Sequence, residues 1–234
     1  LIPLNDNPRR PINSLALVTL SLIVINVLVF LYEVSLGASV DVFIRTYGAV
    51  PHEILTGQDV PPPGPSPLWI QLITSQFIHG GWLHLIGNMA YLRVFGDDIE
   101  DALGSTRYLL FYLAAGVAAS LTQIFLGQRG DTTPSVGASG AIAGVLGAYL
   151  IWFPRRQVYV LLPFLFFVTA RVSAVVLLGM WFLLQFLNGI AALSLGTAQA
   201  EGVAVWAHIG GFVAGVVTAL WLRSRFRPQR HAFT

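Results

Sequence analysis

The sequence predicts an all-α membrane protein, a bundle of six transmembrane helices with both chain ends on the inner side. Three observations carry this. First, only 10% of the 234 residues are charged and 55% are hydrophobic, with a mean hydropathy of +0.71, whereas an ordinary soluble domain is about 25% charged. Second, apolar runs long enough to cross roughly 30 Å of hydrocarbon recur along the chain. Third, all 13 basic residues are Arg, and they are placed asymmetrically about those runs. A soluble globular domain and a disordered chain are excluded. The net charge of +2, with Arg gathered at span ends, is a topology pattern and not a nucleic-acid-binding one. The absence of Cys excludes a disulfide framework, a Cys-ligated metal and a Cys nucleophile.

Residues 1–14 are polar and are expected to be an inner N-terminal segment. The six-helix domain then covers 15–222. Its first span is 15–34, long enough to cross, with no convincing cleavage site after it, so no secretory signal peptide is expected. Residues 36–78, with the stretch PPPGPSP at 61–67, form a long outer loop of the kind that carries function. Span two is 79–95, followed by a charged connector at 95–107. Span three is 108–127, and span four is 138–153, short and rich in small residues. Residues 158–169 are apolar but too short to cross and are expected to be an interfacial or partly inserted connector. Spans five and six are 172–192 and 203–222, and a basic inner tail closes the chain at 223–234.

With both ends inside, Arg9, Arg10, Arg93, Arg107, Arg155, Arg156, Arg171, Arg223, Arg225, Arg227 and Arg230 lie inside or at that interface. Only Arg45 and Arg129 lie outside. The excess of cationic residues on one side sets the orientation.

Polar groups inside spans are costly unless they face a wet cavity or a partner. Span two carries His79, His84 and Asn88, the last two one turn apart on one helix face. Span four opens with Gly137, Ala138, Ser139 and Gly140, and span six carries His208. In the six-span arrangement these lie at similar depths near the outer side. Gly140, Gly144 and Ala148 recur every four residues on span four, and Gly211 and Gly215 do so on span six. Such small faces let two backbones approach closely. Packing them together brings Ser139 toward His208, a hydroxyl beside an imidazole base. The free amides at the start of span four, with His84 and Asn88, could stabilise an oxyanion. Each feature alone has a plainer explanation in helix packing or a structural hydrogen bond. Their coincidence at one depth is what suggests a Ser–His hydrolase.

Four motifs in order, FIHGGWLHLIGNM at 77–89, FGDDIEDALGS at 95–105, PSVGASGAIAG at 134–144 and WAHIGGFVAG at 206–215, resemble the rhomboid family of intramembrane serine proteases. The resemblance covers nearly the whole chain. It implies that Ser139 is the nucleophile and His208 the general base and acid. It implies that His84, Asn88 and the Ser139 amide, between Gly137 and Gly140, donate to the oxyanion, and that His79 supports the mouth of the site. Glu100 and Gly104 match a structural connector motif. Two positions depart from the pattern of some members: Ala143 stands where an aromatic packs on the catalytic His, and Trp69 is followed by Ile70 where some carry Arg.

The implied activity is cleavage of single-span membrane proteins in or near the transmembrane helix, through an acyl-enzyme, with no cofactor and no metal. A small residue before the scissile bond is the implied preference. The partners are then such substrates and the lipid bilayer, and no nucleic acid. The location expected is an integral membrane position, in a bacterial inner membrane because Arg is used without Lys. The alternative is a non-catalytic rhomboid-like protein that binds transmembrane helices. A three-His zinc site from His79, His84 and His208 lacks the i,i+4 ligand spacing of a helical motif.

Overall fold

Helices occupy all six expected spans in the computed structural model, which describes residues 2–7, 16–127, 131–162, 168–195 and 204–223. They are α1 (Leu17–Ser35), α5 (Trp82–Leu103), α6 (Ser105–Leu126), α7 (Ser139–Trp152), α8 (Ala174–Leu195) and α9 (Val205–Leu222). Between α1 and α5 lie three short helices, α2 (Val40–Tyr47), α3 (Pro51–Thr56) and α4 (Gln71–Thr74). Among the described residues, three helices, α1, α6 and α9, are long and apolar enough to cross a membrane, with mean hydropathies of 2.3, 1.9 and 1.7. Of the other long helices, α5 carries charged residues, α7 has only 14 residues, and α8 is apolar and uncharged over its 22 residues. Residues Arg9, Arg10, Arg129, Arg225, Arg227 and Arg230 lie outside the described residues, as does most of the expected basic tail.

The all-α expectation is corrected by a three-stranded sheet. Strands β2 (Gln157–Leu162) and β3 (Val168–Ser173) form an antiparallel pair where an interfacial connector was expected, and β1 (Ile2–Asn7) adds to β2. The N-terminal segment expected to be merely polar is therefore part of the fold. The cause is legible in the side chains. Val158 and Val160 are buried, while Gln157 is exposed and Tyr159 and Leu161 are half-buried, the period-two pattern of a strand. The charged connector is also corrected. Helix α5 continues through it to Leu103, and α6 starts after the single break at Gly104, whose φ of +79° suits only a residue without a Cβ.

Helix α7 is the centre of the bundle. Ten of its 14 residues are buried. On one side Gly140 and Gly144 meet Ala119 and Ala115 of α6, and on the other they lie against α9. A Cβ at Gly211 would fall on the Gly140 carbonyl, and one at Gly215 on the Gly144 carbonyl. The two backbones are thus in contact with no side chain between them. At the far end the Trp152 indole donates to the Ala219 carbonyl at 3.2 Å, fixing the register.

Buried carboxylates tie helix ends together. Glu100 of α5 accepts from the Val18 and Thr19 amides at 3.0 and 2.8 Å, the Thr19 hydroxyl at 2.9 Å and the Ser105 hydroxyl at 2.7 Å. It satisfies orphan donors at the start of α1 and bonds the first residue of α6, where the positive helix ends favour a carboxylate. On the same face Asp6 of β1 accepts from the Tyr149 hydroxyl of α7, and Arg156 pairs with both Asp6 and Asp98. The sheet is thereby pinned to the lower ends of α5 and α7.

Two outcomes follow. Glu100→Ala leaves several buried donors without an acceptor and should cost about 3 kcal/mol, read as a lower midpoint of thermal unfolding in detergent. Gly215→Val places a side chain on the α7 backbone, which overpacking series put at about 1–3 kcal/mol. It should lower the same midpoint while Val217→Ala, an exposed position on the same helix, leaves it near the parent.

Candidate active site

The loop into α7 is held from two sides before it presents Ser139. Ala49 and Ser135 exchange backbone hydrogen bonds at 3.0 and 2.9 Å, and the Gly137 amide donates to the Ser75 carbonyl at 2.8 Å. Those partners belong to the long segment between α1 and α5, which the sequence marks only as a loop. Its anchor is not Trp69, which is 61% exposed, but a fully buried Gln71. Gln71 Nε2 donates to Glu53 at 2.6 Å and to the Thr46 carbonyl at 3.3 Å, and Gln71 Oε1 accepts from the Val50 amide at 3.3 Å. Gln76 donates to the Leu72 carbonyl at 2.8 Å and lies over Gly116 of α6. These two glutamines fix the loop against the bundle.

Gly137 has φ +125°, and a Cβ there would stand 2.8 Å from the His84 ring. Glycine at this position therefore satisfies two demands, the backbone turn and the close approach of an imidazole. The next turn begins α7, and Ser139 is its first residue. Helix α9 carries His208 on the face that meets α7. Ser139 Oγ and His208 Nε2 are 2.8 Å apart, hydrogen-bond distance, across 69 residues of sequence. The start of α9 is held by Gln123 of α6, whose Oε1 accepts from the Ala207 amide at 3.2 Å.

The remaining expected residues gather on α5 and in the segment just before it, where His79 lies. The His79 and His84 rings meet edge-on at 5.2 Å. His79 is buried, its amide donates to Glu33 of α1 at 3.3 Å, and its two ring nitrogens have no protein partner among the described residues. Asn88, one turn beyond His84, is buried, and its Nδ2 likewise finds no protein partner. A small cavity of about 20 Å³, room for a single water, is lined by Ser75, Gln76, Ser120, Gly137, Ser139 and Gly140 among others. Gly140, Gly144, Gly211 and Gly215 stand where α7 meets its neighbours.

Sequence reasoning missed the surroundings of His208. With Ala143 beside the site, no aromatic from α7 reaches the imidazole. Trp181 of α8 lies 5.6 Å from the His208 ring, and Gln185 Oε1 lies 3.1 Å from His208 Nδ1. Gln185 is a polar residue within the apolar run WFLLQFLNG. That isolation inside a span was the signal that could have found it.

Helices α1, α6 and α9 make this an integral membrane protein, and the comparisons with known proteins agree. The Rhomboid domain family model matches residues 66–225. Rhomboid-like protein 11, chloroplastic, of Arabidopsis thaliana is 31% identical over 68% of this chain and 54% of its own length. Rhomboid protein 1, mitochondrial, of Saccharomyces cerevisiae is 32% identical over 69% of this chain and 44% of its own. Rhomboid protease GluP of Bacillus subtilis is 28% identical over 81% of this chain and 31% of its own. The matches thus span about a third to a half of the length of these relatives. Their names include two organelles, so the bacterial inner membrane expected from Arg usage gains no support. The matched span runs from the loop before α5 to the end of α9 and contains the serine, the histidines and the glycine faces described above. The chain belongs to the rhomboid family.

Proposed function

We propose that the chain is an intramembrane serine endopeptidase that cleaves single-span membrane proteins in or near their transmembrane helix. The observation that carries the reading is the 2.8 Å approach of Ser139 Oγ to His208 Nε2. In the mechanism Ser139 attacks the scissile carbonyl while His208 Nε2 takes its proton. His208 then protonates the departing amine, and water releases the acyl group by the reverse sequence. The oxyanion is received by the Ser139 amide at the start of α7, by the unpartnered Asn88 amide group and by His84. Gly137 and Gly140 keep that pocket free of side chains. His79 shapes its mouth through the His84 contact. A substrate helix must unwind locally, because its own hydrogen bonds occupy the carbonyl to be attacked.

All six long helices are then crossings, with both ends inside. Two features support it. Strand β1 pairs with β2, so residues 2–7 and 157–162 lie on one side, which requires an even number of crossings between them. Helices α1, α5, α6 and α7 supply four. In addition, α7 with 14 residues is about 21 Å long, shorter than the ~30 Å hydrocarbon core. With its Trp152 end near the inner face, Ser139 is recessed below the outer one, where a wet cavity is needed for hydrolysis.

Purified protein in detergent should label with a fluorescent fluorophosphonate and cleave a single-span reporter. Ser139→Ala and His208→Ala should each lose labelling and reduce cleavage roughly 10³-fold or more. Asn88→Ala should retain labelling but lose about 10²-fold in cleavage. Labelling that survives Ser139→Ala would mean another nucleophile. A folded parent that neither labels nor cleaves would favour a protein that binds transmembrane helices without cutting them.

A further inference from the structure

Resting on the protease reading above, we infer that Gln185 of α8 is the positioning residue of the catalytic histidine, a neutral third member that selects its tautomer. For His208 Nε2 to accept the Ser139 proton, the ring must carry its hydrogen on Nδ1. That hydrogen, on a ring packed between helices, needs an acceptor. Among the described residues the acceptor within reach is the amide oxygen of Gln185, 3.1 Å from Nδ1. Turned the other way, the Gln185 amide would offer N–H to Nδ1, place the ring hydrogen on Nε2 and aim it at Ser139, which abolishes the base. The orientation of one amide thus decides whether the dyad works.

Two matched pairs build the contact. Trp181 and Gln185 are one turn apart on α8, and His208 and Phe212 are one turn apart on α9. Trp181 lies 5.6 Å from His208 and 6.1 Å from Phe212. The ring of Phe182 stacks on Phe212 at 4.6 Å. The indole, tilted 44° to the imidazole, supplies an aromatic contact that Ala143 on α7 does not. Around Gln185 the helix is otherwise outward-facing: Leu183, Leu184, Phe186 and Leu187 are all exposed. A carboxamide in such a run is costly in lipid unless partnered, so its pairing with His208 also holds this turn of α8 inward. The other groups facing His208 are Ser139 from α7 and His84 from α5. No carboxylate contacts its ring among the described residues.

An amide can orient the ring but brings no charge, which gives the test its direction. Gln185→Leu should lower kcat on the single-span reporter roughly 10- to 100-fold, less than the loss from a wrong tautomer in a full triad, with KM within about threefold. Gln185→Glu restores an acceptor and adds a negative charge beside Nδ1–H. That charge favours the imidazolium, so the acid limb of the pH–kcat/KM profile should move to higher pH by about one unit. A merely structural role for Gln185 would move neither the limb nor the kcat-to-KM split. Independent of activity, ¹⁵N spectra of imidazole-labelled protein, assigned with His208→Ala, should show the Nδ1–H tautomer of His208 in the parent and a mixture in Gln185→Leu.

An unshifted acid limb in Gln185→Glu, or an unchanged tautomer in Gln185→Leu, would overturn the inference even if the leucine variant folds poorly. A parent that does not cleave, yet keeps the Nδ1–H tautomer and loses it in Gln185→Leu, would sink the protease reading and leave the pairing intact.

Discussion

The close approach of α7 and α9 sets the geometry on which the rest depends. Where Gly140 and Gly144 face Gly211 and Gly215, the two backbones touch. At Gly211 and Gly215 no other residue type allows this, because a Cβ would have to occupy the position of a carbonyl group, and at Gly140 and Gly144 it would strike Ala119 and Ala115 of α6. The serine is one residue before this contact on α7, and the histidine is three residues before it on α9. Their separation is therefore fixed by backbone packing and does not rest on long side chains reaching toward each other. In hydrocarbon, where burying apolar surface gives no advantage over lipid, such packing is the main source of helix association.

The chain has few charges, and several of them are buried as acceptors for backbone amides. Glu100 gathers the starts of α1 and α6, Glu53 and Gln71 gather the loop between α1 and α5, and Glu33 takes the His79 amide. Each carboxylate sits where unpaired N–H groups converge, so a charge that would be prohibitive alone becomes the local solution to unsatisfied backbone. The site inherits its precision from these remote groups. Gln71 and Ser75 hold the loop that delivers Gly137, and Gly137 leaves room for His84.

The helices, the small-residue faces and the meeting of Ser139 with His208 were legible because each depends on a local rule: apolar length, a four-residue repeat, a polar group inside a span. The strands were not. QVYVLL reads as a membrane-facing stretch by hydropathy, and only its alternating burial separates strand from connector. The partner of that hairpin, Ile2–Asn7, lies so far away in sequence that no local pattern links them. Gln185 escaped because a single amide in an apolar run carries no sign of what it faces. The anchoring of the long loop by Gln71 depends on tertiary contacts with Thr46, Val50 and Glu53 that no sequence spacing announces.

The sheet also imposes an order on synthesis. Asp6 and Arg156 are 150 residues apart, so β1 leaves the ribosome long before the hairpin that will pair with it. Until then its backbone donors and acceptors form an open edge, and the Tyr149 hydroxyl lacks its carboxylate acceptor. Pro3 removes one donor from that edge, and the register breaks between Pro3 and Asn5, which makes it a poor template for a neighbouring chain. Closure of this face is a late, non-local event of the kind that slows folding. The nascent protein reaches its final form only when β1 is captured by a strand made after α1, α5, α6 and α7.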